Sequence, residues 1–373
     1  MLTLSGYQIA EEIQVGISTA IYRGIRQQDQ KPVILKLLKS EYPTLTEIAR
    51  LRQEYKITKD IECEGVIKAY GLEKYRNGFS LILEDFGGQS LKQLIAVQKL
   101  QLKEVLQILI DLTDTLEFLH SISLIHKDIK PSNIIINQAT RKVKITDFSI
   151  ASRLSMENST ISNPNLLEGT LAYMSPEQTG RMNRSIDYRT DFYSLGVTFY
   201  EILTGRLPFT TTDPMELVHC HLAKEPVPPC QFKIQNSESK SNQIENEEIP
   251  QAVSDIVMKL LAKNAEDRYQ SAAGLKFDLE TCLQQLETTG KIENFPIGQR
   301  DIGSQLLIPQ KLYGREREVQ TLMNAFERVS FGATEMMLVS GYSGIGKTSI
   351  VNEVHKPIVE ARGYFIAGKF DQF

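Results

Sequence analysis

The residues whose spacing carries the most chemistry are His126-Lys127-Asp128-Ile129-Lys130-Pro131-Ser132-Asn133, followed after a short apolar run and a turn by Asp147-Phe148-Ser149. An aspartate can accept a hydroxyl proton, a lysine two positions on can meet a phosphate in transit, and an asparagine five positions on can hold a metal ion. Asp147 would supply the second ligand. Read this way the segment is a phosphoryl-transfer loop, with Asp128 and Lys130 at the reacting group and Asn133 and Asp147 at the metal.

This stretch resembles the catalytic loop and metal-binding motif of eukaryotic-type protein kinases. It departs from them at Lys127, where most have arginine, and at Ser149, where the motif ends in glycine. The resemblance implies an α+β bilobal fold, a small β-rich lobe and a large helical lobe, with ATP and Mg2+ held between them. The apolar residues Ile9, Ile13 and Val15, then Ala20, Ile21 and Tyr22, then Val33-Ile34-Leu35-Lys36 predict three β-strands, the first two joined by a tight turn, that open the small lobe. The turn Gln14 to Ile21 aligns with the glycine-rich phosphate-covering loop, but of three glycines only Gly16 is present. By resemblance Ile13, Gly16 and Ile21 border the nucleotide, Lys36 meets its phosphates, and Glu54, on a helix predicted over Thr44 to Lys59, pairs with Lys36.

A strand from Phe79 to Phe86 ends in Glu84-Asp85-Phe86-Gly87-Gly88, which resembles the connector between lobes whose backbone meets adenine. Apolar residues from Leu102 to Leu119, within the stretch Ser90 to Ser121, recur at helical spacing and form scaffold. Ile134 to Ile136 and Val143 to Ile145 predict a short hairpin that presents Asn133 and Asp147 from rigid ends. The segment Asp147 to Glu177 resembles an activation segment, in which Thr170 would bridge Asp128 and Lys130 as in serine/threonine members. Asp191 would anchor a buried helix running to Leu203, and Arg268 would pair with Glu177, both as fold determinants. Gln235 to Glu248 is polar and predicts a mobile insertion, and helices are expected near 251–263 and 271–286.

The kinase-like unit is placed at residues 7–286, and 287–309, with its glycines and prolines, reads as linker. From residue 310 a second unit begins. An amphipathic helix to about Arg328 and an apolar strand at Met336 to Val339 lead into Gly341-Tyr342-Ser343-Gly344-Ile345-Gly346-Lys347-Thr348, which fits the phosphate-binding pattern G-x-x-x-x-G-K-[ST]. Gly341, Gly344 and Gly346 would shape the loop, Lys347 add charge and Thr348 a metal-facing hydroxyl. This half resembles the start of an AAA/STAND-like P-loop ATPase module, as found behind a kinase domain in bacterial, especially cyanobacterial, multidomain signalling kinases. With 26 residues after Lys347 the α/β unit is expected to be incomplete and the chain a fragment.

Composition narrows the rest. A net charge of −4 and a sequence pI near 5.9 give no nucleic-acid footprint. Cys63, Cys220, Cys230 and Cys282 form no C-x-x-C pair, which fits a reducing cytoplasm, and His219 and His221 read as residues of a mostly polar surface helix rather than metal ligands. No run approaches the apolar length of a membrane span. The implied activity is phosphorylation of protein Ser/Thr hydroxyls, with protein substrates and possible downstream signalling domains or a separate sensor kinase as partners. The alternative is a nucleotide-binding pseudokinase or scaffold coupled to its ATPase neighbour, which the missing glycines and Ser149 favour. A small-molecule kinase is a third reading, disfavoured by Thr170.

Overall fold

The computed structural model describes residues 4–16, 18–154, 170–180, 185–232, 249–303, 314–342 and 345–353. Strands β1 (Tyr7–Val15), β2 (Thr19–Arg26) and β3 (Lys31–Leu38), helix α1 (Leu45–Thr58), and strands β4 (Ala69–Tyr75) and β5 (Gly78–Glu84) build the small lobe. The strands form one antiparallel sheet in the order β1-β2-β3-β5-β4. Alternation along β3 decides what each face does. Val33, Leu35 and Leu37 pack with Tyr7, Tyr75 and Ile82, while Ile34 and Leu38 face the cluster containing Leu51 of α1. Lys36 shares the second face, so its register opposite Leu81 aims it at α1. A one-residue slip would turn it away.

Helix α1 begins where a capping box fixes it: Thr44 Oγ1 accepts from the Glu47 N–H, and Glu47 Oε2 accepts from the Thr44 N–H. Its buried residues are Leu51, Glu54 and Thr58, one stripe at helical spacing, which carries Glu54 inward with the apolar face.

In the large lobe the expected single helical stretch is two helices, α2 (Leu91–Val97) and α3 (Leu102–Ser121), separated by an extended break at Gln98. Around them lie β6 (Gln89–Ser90), β7 (Leu124–Ile125), β8 (Ile134–Ile136), β9 (Val143–Ile145) and β10 (Ser152–Arg153). β8 and β9 form the predicted hairpin, with β6 at its edge. Helices α4 (Arg189–Thr204), α5 (Pro214–Ala223), α6 (Gln251–Leu260) and α7 (Ala272–Thr289) follow. Leu106, Leu109, Leu112 and Leu116 of α3 join Phe192, Leu195 and Phe199 of α4 and Ile256 and Leu260 of α6 in the main core. Gly196 permits this closeness, since a Cβ there would stand 2.7 Å from Leu260 Cβ.

Arg268 and Glu177 pair as expected, through two bonds of 2.7 and 2.8 Å, with Thr190 Oγ1 donating a third to the carboxylate at 2.7 Å. Burial would raise the Glu177 carboxyl, but Arg268 more than offsets it and brings it down to about 2.

Three expectations need correction or refinement. Helix α5 is not a polar surface helix: Cys220 and His221 are buried, His221 Nδ1 lies 2.9 Å from the Tyr193 hydroxyl, and burial holds the imidazole down to about 3. The stretch read as linker starts with the last turn of α7, and Ile292, Phe295 and Ile297 pack on the core while Asp301 accepts the backbone N–H groups of Gln270 and Ser271. Its glycines and prolines mark irregular backbone rather than a free tether. In the second unit, α8 (Glu316–Ser330) and α9 (Lys347–Asn352) are present, but Met336 to Val339 is not a strand. A strand exists through its partner, and among the described residues none pairs with this run; Met336 is 97% exposed.

The insertion Gln235 to Glu248, residues 155–169 of the activation segment, and Ser343 and Gly344 lie outside the described residues. Among the described helices none is long and apolar enough to cross a membrane, and no group of His, Cys, Asp and Glu there could hold a metal ion by itself.

Candidate active site

Between the lobes lies a cleft of about 710 Å³ lined by Ile13, Ile21, Lys36, Glu84, Phe86, Lys130, Asn133 and Asp147 among others. Its floor is the loop His126 to Asn133, and the loop's shape is dictated by a buried carboxylate beneath it. Asp191 accepts the backbone N–H of His126 at 3.0 Å and of Lys127 at 2.8 Å, with His120 Nε2 at 2.9 Å. Burial would raise the Asp191 carboxyl, and His120 reverses this, so it stays ionised below the usual range. Lys127 has a positive φ of 67°, which two donated bonds to one carboxylate hold in place. His126 completes the anchor: its Nδ1 accepts from the Asp128 N–H, so Nε2 carries the proton donated to the Thr146 carbonyl at 3.1 Å, and its ring meets Phe148 edge-on at 4.6 Å.

On this base the predicted residues converge. Lys130 Nζ donates to Asp128 Oδ2 and to Thr170 Oγ1, both at 2.5 Å. The Thr170 N–H donates to Asp128 Oδ1 at 3.2 Å, and Asn133 Nδ2 donates to Asp128 Oδ2 at 2.9 Å. The Asn133 amide nitrogen is thereby committed, which directs its oxygen elsewhere.

From above, Lys36 Nζ donates to Glu54 Oε2 at 2.7 Å and to Asp147 Oδ1 at 2.8 Å. One ammonium is shared by two carboxylates, and their fates differ. For Asp147 burial opposes ionisation, but Lys36 and the Ser149 hydroxyl outweigh it and hold the carboxyl well below the usual range. Burial of Glu54 outweighs Lys36, and with the adjacent Asp147 charge it pushes that carboxyl up to about 7. The serine in place of glycine thus brings a hydroxyl that favours the ionised form of Asp147. Asp147 holds φ at 67°, just beyond β9.

Other predicted residues sit less centrally. Glu54 acts from behind Lys36, and Gly16 stays off the cleft wall, where its N–H donates to the Thr19 carbonyl at 2.8 Å and its carbonyl accepts from Lys39 at 3.0 Å. Gln14 and Thr19, in two of the positions where glycines would stand, line the cleft instead. Lys144 of β9 was not anticipated: it holds the Glu84 carboxylate at 3.0 and 2.8 Å. In the second unit Lys347 Nζ donates to the carbonyls of Gly341 and Tyr342, both at 2.8 Å, and Gly346 takes a φ of 93° just ahead of α9.

Residues 7–278 match the protein kinase domain model, which spans the lobes and cleft just described. This chain belongs to the protein kinase family. Behind the kinase domain, residues 311–373 match the AAA ATPase domain model. Similar proteins include hybrid signal transduction histidine kinase G of Dictyostelium discoideum, 34% identical over 72% of this chain and 10% of that one. Serine/threonine-protein kinase PknB of Mycobacterium tuberculosis is 34% identical over 53% of this chain and 29% of its own length. Serine/threonine-protein kinase PrkC of Bacillus subtilis is 29% identical over 74% of this chain and 40% of its own. The chain therefore spans between 10% and 40% of the length of these curated relatives.

Proposed function

We propose that this chain transfers the γ-phosphoryl group of ATP to serine and threonine hydroxyls of proteins. The observation that carries the reading is the closed set Lys130, Asp128 and Thr170, assembled from two segments 40 residues apart around one carboxylate. Asp128 orients the acceptor hydroxyl and takes its proton as the hydroxyl oxygen bonds to the γ-phosphorus and the bridging oxygen departs with ADP. Lys130, within reach of both Asp128 and the incoming group, offsets the charge on the moving phosphoryl. Lys36, oriented by Glu54, holds the nonreacting phosphates, and the connector Glu84 to Phe86 borders adenine.

Asn133 and Asp147 offer an amide oxygen and a carboxylate, an all-oxygen set that fits a hard divalent cation. Mg2+, which takes one or two carboxylates and completes its shell with water and substrate phosphate, would be held by these two residues and would neutralise charge on the phosphates. The four free cysteines suit a reducing cytoplasm as the place of action. Protein substrates, and signalling partners reached through the ATPase-like unit, belong to the same reading.

A scaffold that binds nucleotide without transfer draws on Gln14 and Thr19 at glycine positions. The deciding experiment is incubation with radiolabelled ATP, Mg2+ and a generic protein acceptor, followed by acid hydrolysis. Labelled phosphoserine or phosphothreonine is the expected product; nucleotide binding with no label in protein would favour the scaffold.

A further inference from the structure

Three consecutive residues of the connector between lobes are each held by a side chain from elsewhere. Glu84 is held by Lys144, and the Phe86 carbonyl accepts from Asn137 Nδ2 at 2.5 Å, both from the large-lobe hairpin region. Asp85 is held from the opposite side, by Arg23 of β2, whose Nε donates to Oδ2 at 2.6 Å. Arg23 has a second attachment on the small lobe, Nη1 to Glu11 Oε1 of β1 at 2.8 Å. Its Nη2 lies 3.5 Å from the Gly88 carbonyl, beyond Gly87, whose φ of 74° makes the bend. Asp85 Oδ1 meanwhile accepts the Gly87 N–H at 2.9 Å, which closes that bend.

The guanidinium thus ties the two strands that carry the phosphate-covering turn to both sides of the bend. Asp85 is 7% exposed and Arg23 32%, so this contact is half-buried while the Glu11 end is open to solvent, and a planar fork suits three acceptors as a lysine would not. Arg23, Glu11, Asp85 and Gly88 all line the cleft. Where glycines would let the turn settle onto phosphate by itself, Gln14 and Thr19 stand, so the position of the β1–β2 hairpin as a body decides how closely its backbone approaches the nucleotide.

We propose that Arg23 is a positioning residue for nucleotide binding, which fixes the β1–β2 hairpin over the cleft by bridging Glu11 and the Asp85 to Gly88 connector. The proposal rests on the reading of the cleft as an ATP site and adds what sets affinity there. The test uses the full chain and four variants, Arg23→Ala, Arg23→Lys, Asp85→Asn and Arg23→Ala with Asp85→Asn. Titration with ATP and Mg2+ is measured beside steady-state phosphorylation of a generic protein acceptor and thermal unfolding.

Arg23→Ala and Asp85→Asn should each raise Kd and KM for ATP about tenfold while kcat stays within about twofold, the pattern of lost binding rather than lost chemistry. The double variant should lose clearly less than the product of the two single losses, because both single variants remove the shared Arg23–Asp85 bond. Arg23→Lys should fall between, keeping charge and losing the fork. An unchanged KM, additive losses in the double variant, or a fall in melting temperature and kcat with KM unmoved would each overturn the proposal. Failure of the unaltered chain to bind ATP would instead overturn the reading of the cleft, and the inference with it.

Discussion

The chain carries two loops whose composition suits phosphate, and they are supported in opposite ways. In the kinase cleft the main charged groups are held by residues distant in sequence: Asp128 by Thr170, Lys36 by Glu54 and Asp147, the loop itself by Asp191. In the second unit Lys347 bonds carbonyls of its own loop, five and six residues away, and the run before it is exposed at Met336 and Leu338. Spacing alone makes a motif in both places. Only where a packed core fixes the ends of the loop does the motif become a geometry in which charges meet substrate at defined distances.

The largest effect expected from this contrast lies at Asp128. Asp128→Asn keeps shape and removes the proton acceptor, so phosphate incorporation should fall by about 10²- to 10⁴-fold with ATP affinity nearly unchanged. Equal incorporation by the variant and the unaltered chain would mean that the reacting group is not where the braced loop places it.

Next comes the support beneath the site. Arg268→Ala would leave the Glu177 carboxylate buried without compensation, and the expected loss is about 3–5 kcal/mol of stability, read from chemical denaturation. The pair also makes stability depend on acid. Because the folded-state value for Glu177 is depressed from 4.5 to about 2, its contribution is present above pH 4.5 and is lost as pH falls toward 2. A loss under about 1 kcal/mol in Arg268→Ala would show that this part of the lobe is no more constrained than an exposed loop.

A third, gentler effect separates activity from stability. Glu54 has a folded-state value raised from 4.5 to about 7, so its contribution to stability is present below 4.5 and is lost as pH rises through 7. The ion pair with Lys36 requires the ionised form, so activity should rise across the same interval, up to about tenfold per pH unit on the acid side. Glu54→Gln should flatten that limb and lower the plateau. A pH profile of kcat/KM with the same limb in both proteins would assign the titration to another group.

The loop residues of the cleft were legible in sequence because they lie within a few positions of one another and their types admit few other roles. Glu54 and Arg268 were legible only through resemblance, since a single glutamate on a helix or an arginine before an aromatic is ordinary. The contacts that hold the connector were not legible at all. Lys144 with Glu84, Arg23 with Asp85 and Asn137 with Phe86 join common polar residues 60, 62 and 51 positions apart, and only the folded chain brings them together. The false strand at Met336 to Val339 has the complementary cause. A short apolar run reports what could pair, whereas strand formation depends on a partner that local composition does not contain.

The smallest expected effect is at Lys347. Phosphate binding by such a loop needs backbone N–H groups and the lysine, whereas hydrolysis also needs an acidic metal partner and a residue that orients the attacking water. Lys347 is engaged by its own loop carbonyls rather than aimed at an external charge, and the run before the loop pairs with no strand among the described residues. The braced cleft, by contrast, holds Asp128, Lys130, Asn133 and Thr170 in one bonded group and Lys36, Glu54 and Asp147 in another. Phosphate release from ATP should therefore be unchanged, within about twofold, in Lys347→Ala, and should collapse in Asp128→Asn, whose lost group acts on the attacking oxygen whether that oxygen belongs to a hydroxyl or to water. The two variants are assayed side by side at equal concentration and with the same Mg2+. A loss confined to Lys347→Ala would place turnover in the second unit and would mean that local bonding suffices to build a working phosphate site there.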